Sequence, residues 1–175
     1  MSEDLRYPIG EFDPNFDTSP AAREARLAVI RALPTAVADA VAGLSEAQLD
    51  TRYRPDGWTV RQTVHHIADS HSNSLTRFKL ALTEDEPPII RPYYEERWAE
   101  LGDSKLPINV SIKMLESLHT RWTALLESMS EADYQRSFIH PETGEWTLEA
   151  ALALYAWHSL HHTAHITHLR YREGW

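Results

Sequence analysis

Five histidines lie within one predicted helix near the C-terminus. Histidines four residues apart stand on the same face of a helix, with Cβ atoms about 5–6 Å apart, so two such imidazoles can bind one metal ion. The pairs His158/His162 and His161/His165 both have this spacing, and spacing alone does not choose between them. A third imidazole from a neighbouring helix would leave a tetrahedral ion one open position, as in catalytic zinc sites. The cluster consists of His158, His161, His162, His165 and His168.

A histidine doublet, His65-His66, near the start of an earlier predicted helix is the candidate source of that third imidazole. Adjacent residues on a helix project about 100° apart, so at most one of the two faces the centre of a helix bundle. Their apolar neighbours do not choose between them. We expect His71 on another side of the same helix. His119 and His140 are isolated in the sequence, and we expect them to be structural or exposed.

Two better-known metal chemistries do not fit the sequence. A zincin helix needs a glutamate directly after its first histidine as the general base, but Ser159 follows His158. A ferritin-like di-iron bundle needs two Glu-x-x-His motifs, and only Glu116 and His119 form one. The simplest alternative is a set of histidines that hydrogen-bond within the protein and bind no metal.

Composition restricts the classes of function. The 175 residues fit a single domain, 1–175, in which 1–18 form an irregular N-terminal arm. The absence of cysteine excludes disulfides and thiolate ligands. A net charge of −9 argues against a nucleic-acid partner. We find no signal peptide and no apolar run long enough for a membrane span, so we expect no membrane partner.

Four long helices follow from apolar periodicity and capping signals. The first contains Pro34, which is expected to kink or divide it. Thr59 and Gln62 form a capping-box pattern at the start of the second. Together the helices predict an all-α fold, a four-helix bundle with a long crossover between helices 2 and 3. The predicted helices run from Ser19-Pro20 to near Gly43, from Thr59 to about Leu82, from Asn109 to Met129, and from Thr147 to about Arg172.

The connections between these helices carry further signals. The crossover, 84–107, is rich in proline and aromatic residues and is expected to contain a short helix near 95–101. The two halves of the chain repeat an order of helix, capped turn, loop, Trp-Thr cap and helix, which predicts two helical hairpins. No strand is expected, because Phe138-Ile139 is too short an apolar run.

Several of these motifs resemble the DinB/YfiT-like metalloenzyme superfamily, and most closely its YfiT branch of metal-dependent hydrolases. The resemblance extends over nearly the whole chain. It rests on the segment from Trp58 through His65-His66 to His71, and on 154–166, which contains the clustered histidines. The remaining matching segments are 7–12, 77–85, 90–93 and 138–141.

The resemblance implies a particular ligand set and assembly. By the spacing after the Gly-Trp-Thr turn, the first ligand falls on His66, and the His-x-x-x-His pair falls on His158 and His162. His165 stands where many relatives carry glutamine, and it would line the site or support the ligands. One divalent ion per chain, zinc or nickel, a homodimer and a cytoplasmic location are implied in the same way.

Such a site supports more than one chemistry on a small-molecule substrate. An ion with three neutral ligands lowers the pKa of water, which leads to hydrolysis. It would equally deprotonate a low-molecular-weight thiol, and some members of the wider superfamily are regarded as S-transferases that use bacillithiol, mycothiol or glutathione. A dimeric bundle that binds metal without catalysis is the third hypothesis. Asp69 is the candidate base, or the residue that holds the far ring nitrogen of a ligand.

Overall fold

The computed structural model describes residues 4–175, and four long helices dominate it. The all-α four-helix prediction is confirmed, and the boundaries agree to within about two residues. Pro34 does not divide the first helix, which is continuous. The long helices are α1 (Pro20–Val41), α3 (Val60–Thr83), α5 (Asn109–Ser128) and α7 (Leu148–Glu173); the short ones are α2 (Glu46–Leu49), α4 (Glu95–Trp98) and α6 (Glu131–Tyr134).

Side-chain caps determine where the long helices begin. The Ser19 hydroxyl accepts a hydrogen bond from the backbone N–H of Ala22, and a proline follows at the first helical position. The predicted capping box at Thr59 and Gln62 is present and starts α3 just before its histidines. The Thr147 hydroxyl caps α7 by accepting a hydrogen bond from the backbone N–H of Ala150.

The four long helices are not arranged as two hairpins of neighbouring helices. α1 packs against α5 and α7, and α3 packs against the same two helices. The successive long helices α1 and α3 therefore lie diagonally, as do α5 and α7, so the hairpin prediction is wrong. The capped turns at α2 and α6 are present, but each belongs to a connection long enough to cross the end of the bundle. The crossover joins α3 to its neighbour α5 and contains α4 and a 3₁₀ turn at Gly102–Lys105.

A small hairpin precedes α7, contrary to the expectation of no strand. β1 (Ser137–His140) pairs antiparallel with β2 (Gly144–Thr147), and Phe138 lies opposite Trp146. The crossover between α3 and α5 is hydrogen-bonded to this hairpin, since the N–H of Ile139 donates to the carbonyl of Pro88. Four-residue strands are too short for a recognisable alternation, and their stability comes from this pairing and from packing on the bundle.

The core consists of two apolar clusters separated by a layer of histidines. One cluster contains Ile30, Leu75, Trp122 and Tyr155 among others, and the second contains Leu33, Ile67, Leu115 and Ile166. On each of α3, α5 and α7, buried histidines lie between the residues of the two clusters. Among residues 4–175, no helix is long and apolar enough to cross a membrane. The histidine layer at mid-bundle contains the buried His71, His119 and His162 and the partly buried His158.

Candidate metal centre

Three imidazoles from two neighbouring helices converge in the histidine layer. His66 projects from α3, and His158 and His162 project from α7, one turn apart. One ligand nitrogen from each lies within 4.8 Å of the others. The Nε2 atoms of His66 and His158 are 3.3 Å apart. Two nitrogens that each lie about 2.0–2.1 Å from a tetrahedral ion are separated by about the same distance, so this pair fits a shared ion.

Burial keeps these three imidazoles neutral. Desolvation lowers the pKa of His66 to about 3, with a smaller contribution from His161. Desolvation also lowers the pKa values of His158 and His162 well below the usual value. Neutral imidazoles offer the lone pair that a metal ion requires. The Nδ1 atom of His162 is buried and has no hydrogen-bond partner, so the protein leaves one polar atom of this group unsatisfied.

The structure separates the two residues of the histidine doublet. The ring of His65 points towards the crossover and α5, where Nδ1 lies 2.7 Å from the Ser111 hydroxyl and Nε2 lies 3.0 Å from the Leu106 carbonyl oxygen. His65 is therefore a structural residue. The ring of His66 faces α7, and the indole of Trp58 packs against it with ring centroids 4.4 Å apart. The sequence does not reveal this contact, because the residues around Trp58 indicate only a helix start.

A second group of histidines shares one residue with the first. Ligand nitrogens of His161, His162 and His165 also lie within 4.8 Å of one another. His165 is held by other contacts: its Nε2 lies 3.2 Å from the Arg6 carbonyl oxygen, and its ring stacks on Tyr53. His161 stacks on the indole of Trp157. Because of these contacts, His161 and His165 line the space beside the first group of histidines.

A cleft of about 240 Å³ opens beside His162. The N-terminal arm forms one edge of it through Arg6 and Tyr7, and the loop before α3 forms another through Arg54 and Trp58. The arm is fixed to α7, since the indole N–H of Trp157 donates to the carbonyl of Gly10. The arm that the sequence predicted as irregular thus borders the route by which solvent or a small molecule reaches the histidines.

Comparison with known proteins identifies the family of this chain. The sequence profile of the DinB superfamily matches residues 29–166, which include all three histidines of the first group. The chain belongs to the DinB superfamily. A relative from Bacillus cereus (strain 03BB102), named "Putative metal-dependent hydrolase", is 56% identical over 172 residues, which are 98% of this chain and 99% of that one. A relative from Bacillus mycoides (strain KBAB4), also so named, is 55% identical over 173 residues, 99% of each chain.

One solved structure places this DinB-superfamily chain in the YfiT branch, as its sequence motifs indicated. YfiT from Bacillus subtilis, described as a probable metal-dependent hydrolase with an unusual four-helix bundle topology, superposes with a TM-score of 0.94 at 51% identity and covers 98% of both chains. A mycothiol-dependent maleylpyruvate isomerase superposes with a TM-score of 0.61 at 17% identity, over 79% of this chain and 60% of that one. The second match shows a shared fold.

His71 was expected on another side of α3 from His66, and from that side it contacts one of the three histidines. His71 Nε2 lies 3.2 Å from Nδ1 of His158, the ring nitrogen opposite the one that faces His66. His66 and His71 are separated by about one and a half turns along α3. Both reach His158 because its ring lies between them. The far ring nitrogen of His158 is thus hydrogen-bonded to His71. His119, expected to be structural or exposed, is buried and bonded to His71.

The candidate base Asp69 lies on α3 three residues after His66, and it is partly buried. Desolvation, together with the nearby carboxylate of Asp103, raises the pKa of Asp69 to about 6. The side chains of Ser70 and Tyr155 bring two hydroxyl groups near His158. The Ser70 hydroxyl is 3.5 Å from His158 Nε2 and 3.3 Å from the Tyr155 hydroxyl.

Proposed function

We propose that this protein is a metal-dependent hydrolase in which His66, His158 and His162 hold one divalent ion. The observation that carries the proposal is the convergence of three neutral imidazoles from α3 and α7, two of them buried and that of His158 partly buried, beside an open cleft. The name shared by relatives that are more than half identical over nearly the whole chain supports the same function.

A divalent ion with three neutral ligands keeps its charge uncompensated, so when bound it acidifies water and polarises a carbonyl group. The three histidines contribute their lone pairs and a fixed geometry. No carboxylate is among the three, and a thiolate is impossible because the chain has no cysteine. The cleft beside His162 leaves one side of the group accessible to a small substrate.

Asp69 suits the exchange of protons at this site. A general acid or base works best when its pKa lies near the working pH. The pKa of about 6 that burial gives this carboxyl allows it to accept a proton near neutral pH and to return it. The paired hydroxyls of Ser70 and Tyr155 supply donors and acceptors for polar atoms of a substrate near His158.

Metal content tests the ligand set. Protein purified without an affinity tag should contain about one zinc or nickel ion per chain by elemental analysis, and His162→Ala should lose it while keeping its helical circular dichroism. His65→Ala is the matched control: it removes a buried imidazole one residue from a ligand, and the ion should remain. Loss of metal in His65→Ala but not in His162→Ala would contradict the proposed ligand set.

Turnover then separates the candidate chemistries. A hydrolase should cleave ester or amide substrates only with metal present, whereas a thiol S-transferase would conjugate a low-molecular-weight thiol to an electrophile such as monochlorobimane. Metal-dependent conjugation without hydrolysis would refute the hydrolase and identify a transferase. A fourth protein ligand in a crystal structure with the ion bound would instead identify a non-catalytic metal bundle. The choice between zinc and nickel, the homodimer and the cytoplasmic location stay predictions.

A further inference from the structure

A chain of hydrogen bonds crosses the bundle and ends on one of the proposed ligands. Pro34 in α1 has no N–H, so the carbonyl of Ile30 lacks its usual helical donor. His119 of α5 fills that position, with Nδ1 2.6 Å from the Ile30 oxygen. His119 Nε2 lies 3.1 Å from Nδ1 of His71 on α3. His71 Nε2 lies 3.2 Å from Nδ1 of His158 on α7, so the chain touches all four long helices.

The carbonyl at one end fixes the direction of every bond. A carbonyl oxygen only accepts, so His119 Nδ1 carries a hydrogen and donates to Ile30. A neutral imidazole has one N–H, so His119 Nε2 accepts from Nδ1–H of His71. His71 Nε2 then accepts from Nδ1–H of His158. This single arrangement leaves His158 Nε2 with a free lone pair, 3.3 Å from His66 Nε2.

The surroundings of His119 and His71 favour neutral imidazoles, which these hydrogen-bond directions require. Desolvation lowers the pKa of His119 to about 4, although the bond to Ile30 opposes the shift. A cationic His119 would donate from both nitrogens and would reverse the bond to His71. Trp122 and Tyr155 pack against the His71 ring in T-shaped contacts, and the His71 ring is fully buried.

We propose that His119 and His71 are positioning residues that hold His158 in the Nδ1–H tautomer and so present its Nε2 lone pair for metal binding. The inference rests on the three-histidine site proposed above. Hydrogen bonds behind a ligand commonly fix its tautomer and orientation. Here the acceptor is the Ile30 carbonyl, which Pro34 leaves free on α1, a helix that provides none of the proposed ligands. The chain positions the ligand and does not conduct protons, because the Ile30 carbonyl cannot take up a proton.

Three variants separate positioning from packing. His119→Leu replaces the imidazole with an apolar side chain of similar volume and removes both of its hydrogen bonds. His119→Gln keeps them, because its amide nitrogen donates and its amide oxygen accepts. His65→Leu is the matched control, since it also removes a buried, doubly hydrogen-bonded imidazole but lies outside the chain of bonds. If His119→Leu does not fold, His119→Met replaces it.

The first measurement is the tautomer of His158 in metal-free protein, by nitrogen NMR of the imidazole rings. The wild type, His119→Gln and His65→Leu should show the Nδ1–H form, whereas His119→Leu should show the Nε2–H form in addition. The second is the Kd for zinc, by competition with a chromophoric chelator. We expect Kd to rise about 10- to 100-fold in His119→Leu and to stay unchanged in the other two variants.

An unchanged His158 tautomer in His119→Leu would overturn the inference. An equal loss of zinc affinity in His65→Leu would also overturn it, because the effect would then come from packing. If the wild type binds no zinc or nickel, the proposed metal site fails. The tautomer measurement still decides the hydrogen-bond chain in that case, so the two failures are distinguishable.

Discussion

Acidification should destabilise the metal-free protein, and His119 provides a measurable share of the effect. Its pKa is about 4 in the folded protein, against 6.5 for an unperturbed histidine, because burial disfavours the imidazolium. Below pH 6.5 the His119 imidazole therefore takes up a proton in the unfolded chain but stays neutral in the folded protein. Stability from this group is complete above that pH, falls as the pH is lowered, and stops falling below about pH 4.

The size of the effect follows from the two pKa values. Their difference corresponds to about 3 kcal/mol in total, of which about 2 kcal/mol is lost between pH 7 and pH 5. The perturbation is His119→Gln, which removes the titrating group and keeps the hydrogen bonds. In urea titrations with EDTA present, the free energy of unfolding of this variant should fall by about 2 kcal/mol less than that of the wild type over the same range.

Leu118→Ala is the matched control for this measurement. Leu118→Ala removes a partly buried apolar side chain from α5, next to His119, and leaves every titratable group in place. It should be less stable than the wild type at each pH, with the same dependence on pH. If His119→Gln lost as much stability on acidification as the wild type, His119 would not be held neutral by burial, and the argument for the direction of its hydrogen bonds would fail.

Two further predictions concern metal and helix capping. Zinc at a free concentration of 100 times its Kd should stabilise the protein by about 2.7 kcal/mol, which raises Tm by about 5–10 °C for a chain of this size. A thermal scan should show the rise in the wild type, and an equal rise in His158→Ala would refute binding at these histidines. Thr59→Ala should lower the free energy of unfolding by about 1 kcal/mol in urea titrations, because the hydroxyl that accepts from the Gln62 N–H, 3.1 Å away, is lost. Thr59→Ser should keep most of that stability, and an equal loss in it would refute the capping explanation.

The sequence by itself determined the helices and the residue types of the candidate site. Apolar periodicity, the cap at Thr59 and the proline after Ser19 are local signals, and local signals locate helix ends. The spacing of His158 and His162 placed two imidazoles on one face in the same way. The choice of His66 over His65 came from family motifs, because both residues of the doublet have similar neighbours in the sequence.

Only the tertiary structure decided how these elements meet. The diagonal placement of successive helices depends on how long connections cross the bundle end, which periodicity does not encode. The role of His71 also depended on this arrangement: its angle on α3 pointed away from His66, yet the ring of His158 reaches both residues. The contact between His119 and Ile30 joins positions 89 residues apart, and it exists because a proline in one helix faces a histidine in another. Local patterns fix the conformation of a segment, whereas hydrogen bonds between segments require their relative positions in space.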